Sequence, residues 1–171
     1  MILLKWIPII VLTLGFAFIV LPWLLIYIGI QLQPDPPKPQ VTYGEFQVRL
    51  EYEIDGQKKV IEDTLICKFN GIGSDEGRGK FRKWKQHLKS NGKSEFTLLK
   101  INDESAITFS PGSAEYYMGD SEDTENDSSF PDAILEEVSG FRFIYAKQLF
   151  NDYKIKLLKW EADPPIENTF L

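Results

Sequence analysis

Hydrophobic residues follow two patterns along this chain, one unbroken and one alternating. Between Lys5 and Asp35 there is no charged side chain, and Trp6 to Ile30 is an almost purely apolar run. At about 1.5 Å per residue it makes a helix of roughly 37 Å, enough to cross a hydrocarbon core of about 30 Å with some tilt. Beyond Asp35 the pattern changes. Phe46, Val48, Leu50, Tyr52 and Ile54 alternate with Glu45, Gln47, Arg49, Glu51 and Glu53, the period of a strand with one apolar face. Asp55-Gly56 then turns the chain. A two-residue turn there pairs Leu50 with Ile61 and Phe46 with Leu65 and predicts a second strand over Lys58–Phe69. That register aims Asp63 at the core beside Val48, for which a bulge is the favoured account over a buried carboxylate hydrogen bond.

The glycine-rich stretch Asn70–Gly79 leads into a segment, Lys80–Ser90, where Phe81, Trp84 and Leu88 fall on one face of a helix, closed by a glycine cap at Asn91-Gly92. Strands are predicted at Phe96–Ile101 and Ala106–Ser110, flanking a turn at Asn102-Asp103. Residues 119–132 are polar and acidic and read as a mobile loop. Structure resumes with Phe141–Tyr145, a short helix carrying Ala146, Leu149, Phe150 and Tyr153 on one face, and a last strand over Lys154–Glu161. The fold class is α+β: an N-terminal transmembrane helix, then one external domain of antiparallel hairpins covered by one or two helices.

The apolar run outlasts the core of a secretory signal, and Gln31-Leu32-Gln33-Pro34 offers no small-residue cleavage site, so an uncleaved signal anchor over residues 1–32 is expected. Trp6 near one end, and Trp23 and Tyr27 near the other, suit the two membrane–water interfaces. Lys5 favours a cytoplasmic N-terminus by the positive-inside rule. Residues 33–40, with four prolines, read as a stiff stalk, and residues 41–171 as the external domain.

Composition narrows the possible functions. The formal net charge is −6, which argues against nucleic-acid binding, and Cys67 is the only cysteine, which excludes an intramolecular disulfide. A disulfide-free external domain fits a bacterial envelope. The stretches VTYGEF, KFRKWK, SPGSAEYYMGD and KWEADPPIEN resemble small single-span envelope proteins of Gram-positive bacteria with no assigned function. The resemblance implies an envelope location and assigns no role to any residue.

Candidate chemistry is sparse. Gly71, Gly73 and Gly77 between a strand and a helix resemble a dinucleotide fingerprint, but Phe96–Ile101 ends in Lys100-Ile101, without the acidic residue that would hold a ribose. The P-loop spacing also fails, and Phe81 stands where a magnesium-binding hydroxyl is required, so neither a nucleotide nor another cofactor is expected. Arg78, Lys80, Arg82, Lys83, Lys85 and Lys89, joined by His87 and Lys93, make a basic patch that can meet anionic lipid or wall polymer, or serve only as a solvated face. Between Lys100 and Arg142 lie eleven acidic and no basic residues. Asp120, Glu122, Asp123, Glu125 and Asp127 supply oxygen ligands that suit calcium, without the glycine that organises such a loop. No second His or Cys accompanies His87 or Cys67 to build a zinc site or a nucleophile pair, and no catalytic residue is assigned. The expected function is a membrane-anchored extracytoplasmic binding domain whose partner is the membrane, another envelope protein or an anionic wall polymer. The alternative is a small envelope hydrolase built on a carboxylate pair, which needs no fixed spacing in sequence.

Overall fold

The computed structural model describes residues 3–121 and 125–171, with side chains from residue 15 onward. Helix α1 (Leu3–Leu32) extends the apolar run by a turn or so, and its Gly15–Leu32 window, of mean hydropathy 2.0, is long and apolar enough to cross a membrane. The next elements are strands β1 (Tyr43–Ile54), β2 (Gln57–Asp75), β3 (Gly79–Leu88), β4 (Phe96–Lys100) and β5 (Ala106–Phe109). A single-turn helix α2 (Ala114–Tyr117) precedes β6 (Ala133–Glu137), β7 (Gly140–Ile144), α3 (Ala146–Tyr153) and β8 (Ile155–Ala162). Among the described residues the strands form two four-stranded sheets, ordered β3-β2-β1-β8 and β4-β5-β6-β7.

The Asp55-Gly56 hairpin has the expected register: Leu50 faces Ile61 and Phe46 faces Leu65, with positive φ at both turn residues. The expected bulge at Asp63 is absent. Val48 and Asp63 pair in an unbroken ladder, and the half-buried Asp63 carboxylate accepts from the amides of Thr64 and Ser90 and the Ser90 hydroxyl. The bulge lies on the other side of β1, between Glu51 and Tyr52 opposite β8.

The segment expected as a helix over Lys80–Ser90 is strand β3. Its burial has period two: Trp84 and Leu88 are buried with Gln86 half-buried between them, while Lys83 and Lys85 point away. The residues preceding it, expected as the entry to a helix, make a tight hairpin turn. The Asp75 carboxylate accepts from the amides of Gly77 (2.9 Å) and Arg78 (2.7 Å), and Gly79 takes φ +71°. Once that turn reverses the chain, the backbone of the long strand β2 offers a ladder to the returning segment, and pairing overrides the helix propensity of Lys, Arg and Gln. The cap expected at Gly92 closes a turn instead, with the Gly92 amide donating to the Leu88 carbonyl.

The apolar faces are covered chiefly by each other rather than by helices. Phe46, Val48, Leu50, Leu65, Leu88 and Ile155 from one sheet share a single core with Phe96, Ile107, Phe109, Leu135 and Ile144 from the other. Trp160 of β8 meets Phe109 edge-on at 4.9 Å and Phe96 at 6.1 Å. Helix α3 packs its Leu149 into this core, and α2 with its C-cap Met118 adds Ala114, Tyr117 and that methionine. Residues 38–40, expected within a free stalk, are paired: Lys38 and Leu171 exchange both backbone bonds, and the Gln40 amide donates to Thr169.

The chain divides into two compact units. One holds α1, the residues after it through Pro37, and Gly71–Lys83; the other holds Lys38–Asn70 and Trp84–Leu171, including the whole of the shared core and the partly buried residues packed against it.

Candidate functional site

The basic residues do not form the helical face expected of them. Alternation along β3 sends Lys83, Lys85 and His87 to one side and Arg82, Trp84 and Gln86 to the other, and Arg78 to Lys83 belong to a different unit from Lys85 and Lys89. Several are engaged. Arg78 binds Asp75 and lies 3.9 Å over the Phe81 ring, Lys80 pairs with Asp35 at 2.8 Å, Arg82 donates to the Pro37 carbonyl, and Lys89 pairs with Glu45.

The acidic segment is only partly ligand-like. Glu122 and Asp123 lie outside the described residues. Asp120 accepts from the Trp84 indole at 2.7 Å, and Asp127 from the Ser113 amide at 2.6 Å, so both carboxylates serve the fold. Among the described residues no group of three or more His, Cys, Asp or Glu side chains, Glu125 included, is placed to hold a metal ion. Cys67 is buried on β2, where burial pushes its thiol up to about 12, far from a nucleophile's range.

The arrangement with chemical potential lies elsewhere, on the outer face of the β4-β5-β6-β7 sheet. Register builds it row by row. Lys100, Ala106, Glu136 and Phe141 are successive partners across the four strands, and Thr97, Thr108, Ile134 and Phe143 make the neighbouring row. Ala106, the small member between a lysine and a glutamate, leaves a trough. The result is an open groove of about 600 Å³, with Thr97 and Ala106 within it, Lys93 and Lys100 toward one side, and Glu136 and Phe141 toward the other.

Beside the groove, Glu95 and Glu136 come together. Glu95 is half-buried; its carboxylate accepts from the buried Thr108 hydroxyl at 2.6 Å, and Glu136 neighbours it. Burial raises the Glu95 pKa above the usual carboxyl range and the neighbouring Glu136 raises it further, while the Thr108 hydroxyl opposes the shift. Next to the two carboxyls stand exposed aromatic rings: Phe141 and Phe143 meet edge-on at 6.3 Å, 72% and 57% exposed, with Tyr145 next in the same alternation. Single exposed aromatics are ordinary, whereas three in one alternation, the first of them lining the groove, are not.

None of these residues stands out in the sequence. Glu95 and Glu136 are far apart in the chain and meet only through the β4-β5-β6 register, and β6 itself, Ala133–Glu137, is not among the strands that periodicity predicts. The one available signal is the alternation Phe141-Arg142-Phe143-Ile144-Tyr145, whose aromatic side needs a destination. No protein-family model matches the chain, and no curated protein or solved structure is significantly similar to it.

Proposed function

We propose that the chain is a single-span envelope protein whose outward-facing domain binds a wall polysaccharide in the groove of the β4-β5-β6-β7 sheet. The membrane half of this reading is supported by the uncharged run of α1, with Trp6, Trp23 and Tyr27 at levels that suit two interfaces. Lys5 orients it, N-terminus inside.

The observation that carries the binding half is the row Lys100–Ala106–Glu136–Phe141. A sugar ring presents an apolar C–H face and a rim of hydroxyl or amide groups. Phe141 offers a flat apolar surface for the first, and Lys93, Lys100 and Asn102 with Glu136 offer donors and acceptors for the second. The groove is open rather than enclosed, so it suits a segment of a polymer better than a small molecule that must be buried on most sides. Anchored chains meet such a polymer at high local concentration.

The test is binding of the full chain, held in detergent or nanodiscs, to purified wall glycan, with Phe141→Ala and Glu136→Gln as variants. Each should weaken binding several-fold while the domain still unfolds in one cooperative transition. Unchanged affinity in both would remove the groove from the account.

A second reading, a hydrolase, is favoured by the Glu95–Glu136 pair, since a half-buried carboxyl of raised pKa beside a second carboxyl can serve as a general acid. Glycosidase carboxyls stand about 5–5.5 or 6.5–9.5 Å apart, wider than two carboxyls close enough to act on each other directly, so this reading points to peptide bonds. Cleavage of wall-derived peptides that Glu95→Gln abolishes would establish it in place of simple binding.

A further inference from the structure

The tip of the β2–β3 hairpin and the end of α1 form one compact unit, and the residues that join them are specific. The Gln33 carboxamide accepts from the Lys80 amide, and a side chain at Gly79 would collide with it. Lys80, its side chain 16% exposed, pairs with Asp35 at 2.8 Å, and Arg82 donates to Pro37. Beyond these contacts Ser74, Asp75 and Glu76 face Trp23, Ile26, Tyr27 and Ile30 across a cleft of about 380 Å³. The tip is therefore held level with the last turns of the apolar helix.

That level has a consequence for any bilayer around α1. Asp75 is held ionised by the Arg78 backbone and side chain and by the Gly77 amide, which lower its pKa, and a carboxylate cannot lie among acyl chains without large cost. The hydrocarbon boundary must then fall near Trp23 instead of Ile30. Trp6 to Trp23 rises roughly 26 Å, close to the thickness of a hydrocarbon core of about 30 Å. Trp23 and Tyr27 then occupy the interfacial layer where such rings collect, and tilt can lay Leu24, Leu25 and Ile28 against the acyl chains.

We propose that the hairpin tip, Ser74 to Arg78, is a membrane-surface contact that sits in the phospholipid headgroup layer of the bilayer crossed by its own α1. Its chemistry fits that occupant. The tip carries carboxylates at Asp75 and Glu76 and a cation at Arg78, with exposed Lys83 just beyond it on β3, to meet ammonium and phosphate groups, and Phe81 under Arg78 gives it an amphipathic side. The inference rests on the reading of α1 as a membrane span and is independent of the polysaccharide groove.

The experiment places nitroxide labels on the full chain in phospholipid nanodiscs at Ser74→Cys and, as depth standards on α1, at Phe18→Cys, on the hydrocarbon side of Trp23, and Leu32→Cys. The buried, high-pKa Cys67 stays unlabelled. At Ser74 the collision rate with a water-soluble nickel chelate should fall below that at Leu32 and above that at Phe18. Free collision at Ser74, with Phe18 shielded, overturns the inference and leaves the span intact. Free collision at Phe18 as well overturns the span and the inference with it.

Discussion

Glu95 carries an unusual electrostatic load for a half-buried residue. Because burial, and then Glu136, raises its pKa in the folded protein, the folded state keeps a proton that the unfolded chain has released. By linkage its contribution to stability is fully present below the unfolded carboxyl value, about 4.3, and is lost as pH rises through the folded value. Glu45, Asp75 and Glu161 run the opposite way, since hydrogen bonds and ion pairs lower their pKa values and their stabilisation disappears as pH falls. The two effects separate in a difference measurement. Thermal midpoints of the full chain and of Glu95→Gln, taken in detergent from pH 4 to pH 8, should converge at the acid end, with the variant gaining on the natural protein as pH rises. A constant offset across the range would mean that Glu95 titrates as an ordinary surface carboxyl. The same variant tests the hydrolytic reading, so one protein serves both questions.

Strand β3 shows how far local pattern can mislead. Phe81, Trp84 and Leu88 satisfy a helical face, yet on a strand Phe81 points opposite to the other two, and only Trp84 and Leu88 are buried. Leu88→Ala should therefore cost about 2–5 kcal/mol, as for a fully buried leucine, whereas Phe81→Ala should cost under about 1 kcal/mol, the worth of a cation–π contact. Equal losses, read from denaturant midpoints, would restore the helix. The strand is nonetheless visible in the sequence once its pairing is known: Trp84-Lys85-Gln86-His87-Leu88 alternates as well as it spirals, and Asp75-Glu76-Gly77 is turn chemistry. Elements with a single consistent period are legible, as in β1, the β4–β5 hairpin, α3 and β8. Asp63 is also legible as an inward carboxylate, but not its remedy, because Ser90 reaches it from a turn that exists only when Lys80–Ser90 is a strand. The candidate groove is not legible. Its residues share one face only through the pairing order of four strands, and pairing order is a long-range property that short-range periodicity does not encode.

The division into two units separates the part that folds by its own core from the part that depends on the anchor. Lys38–Asn70 with Trp84–Leu171 contains all of the fully buried apolar residues of the two sheets, tied off by the terminal ladder of Lys38 and Gln40 with Leu171 and Thr169 and by Asn168, whose side chain bridges Val41 and Met118. The hairpin tip, Gly71–Lys83, adds to its own Asp75–Arg78 and Arg78–Phe81 contacts the side-chain restraints from Gln33, Asp35 and Pro37. A chain beginning at Lys38 should thus fold cooperatively, with amides of β1, β5 and β6 protected from hydrogen exchange, while amides in 71–83 exchange far faster than in the full chain. Proteolysis should agree, with cleavage of the shortened chain near Glu76-Gly77 and resistance at the same bond in nanodiscs. If 71–83 is equally protected with and without α1, the hairpin is held by β-pairing alone and Gln33, Asp35 and Pro37 are incidental neighbours. If the shortened chain instead fails to fold, the core is not self-sufficient and the anchor helix is part of the folding unit.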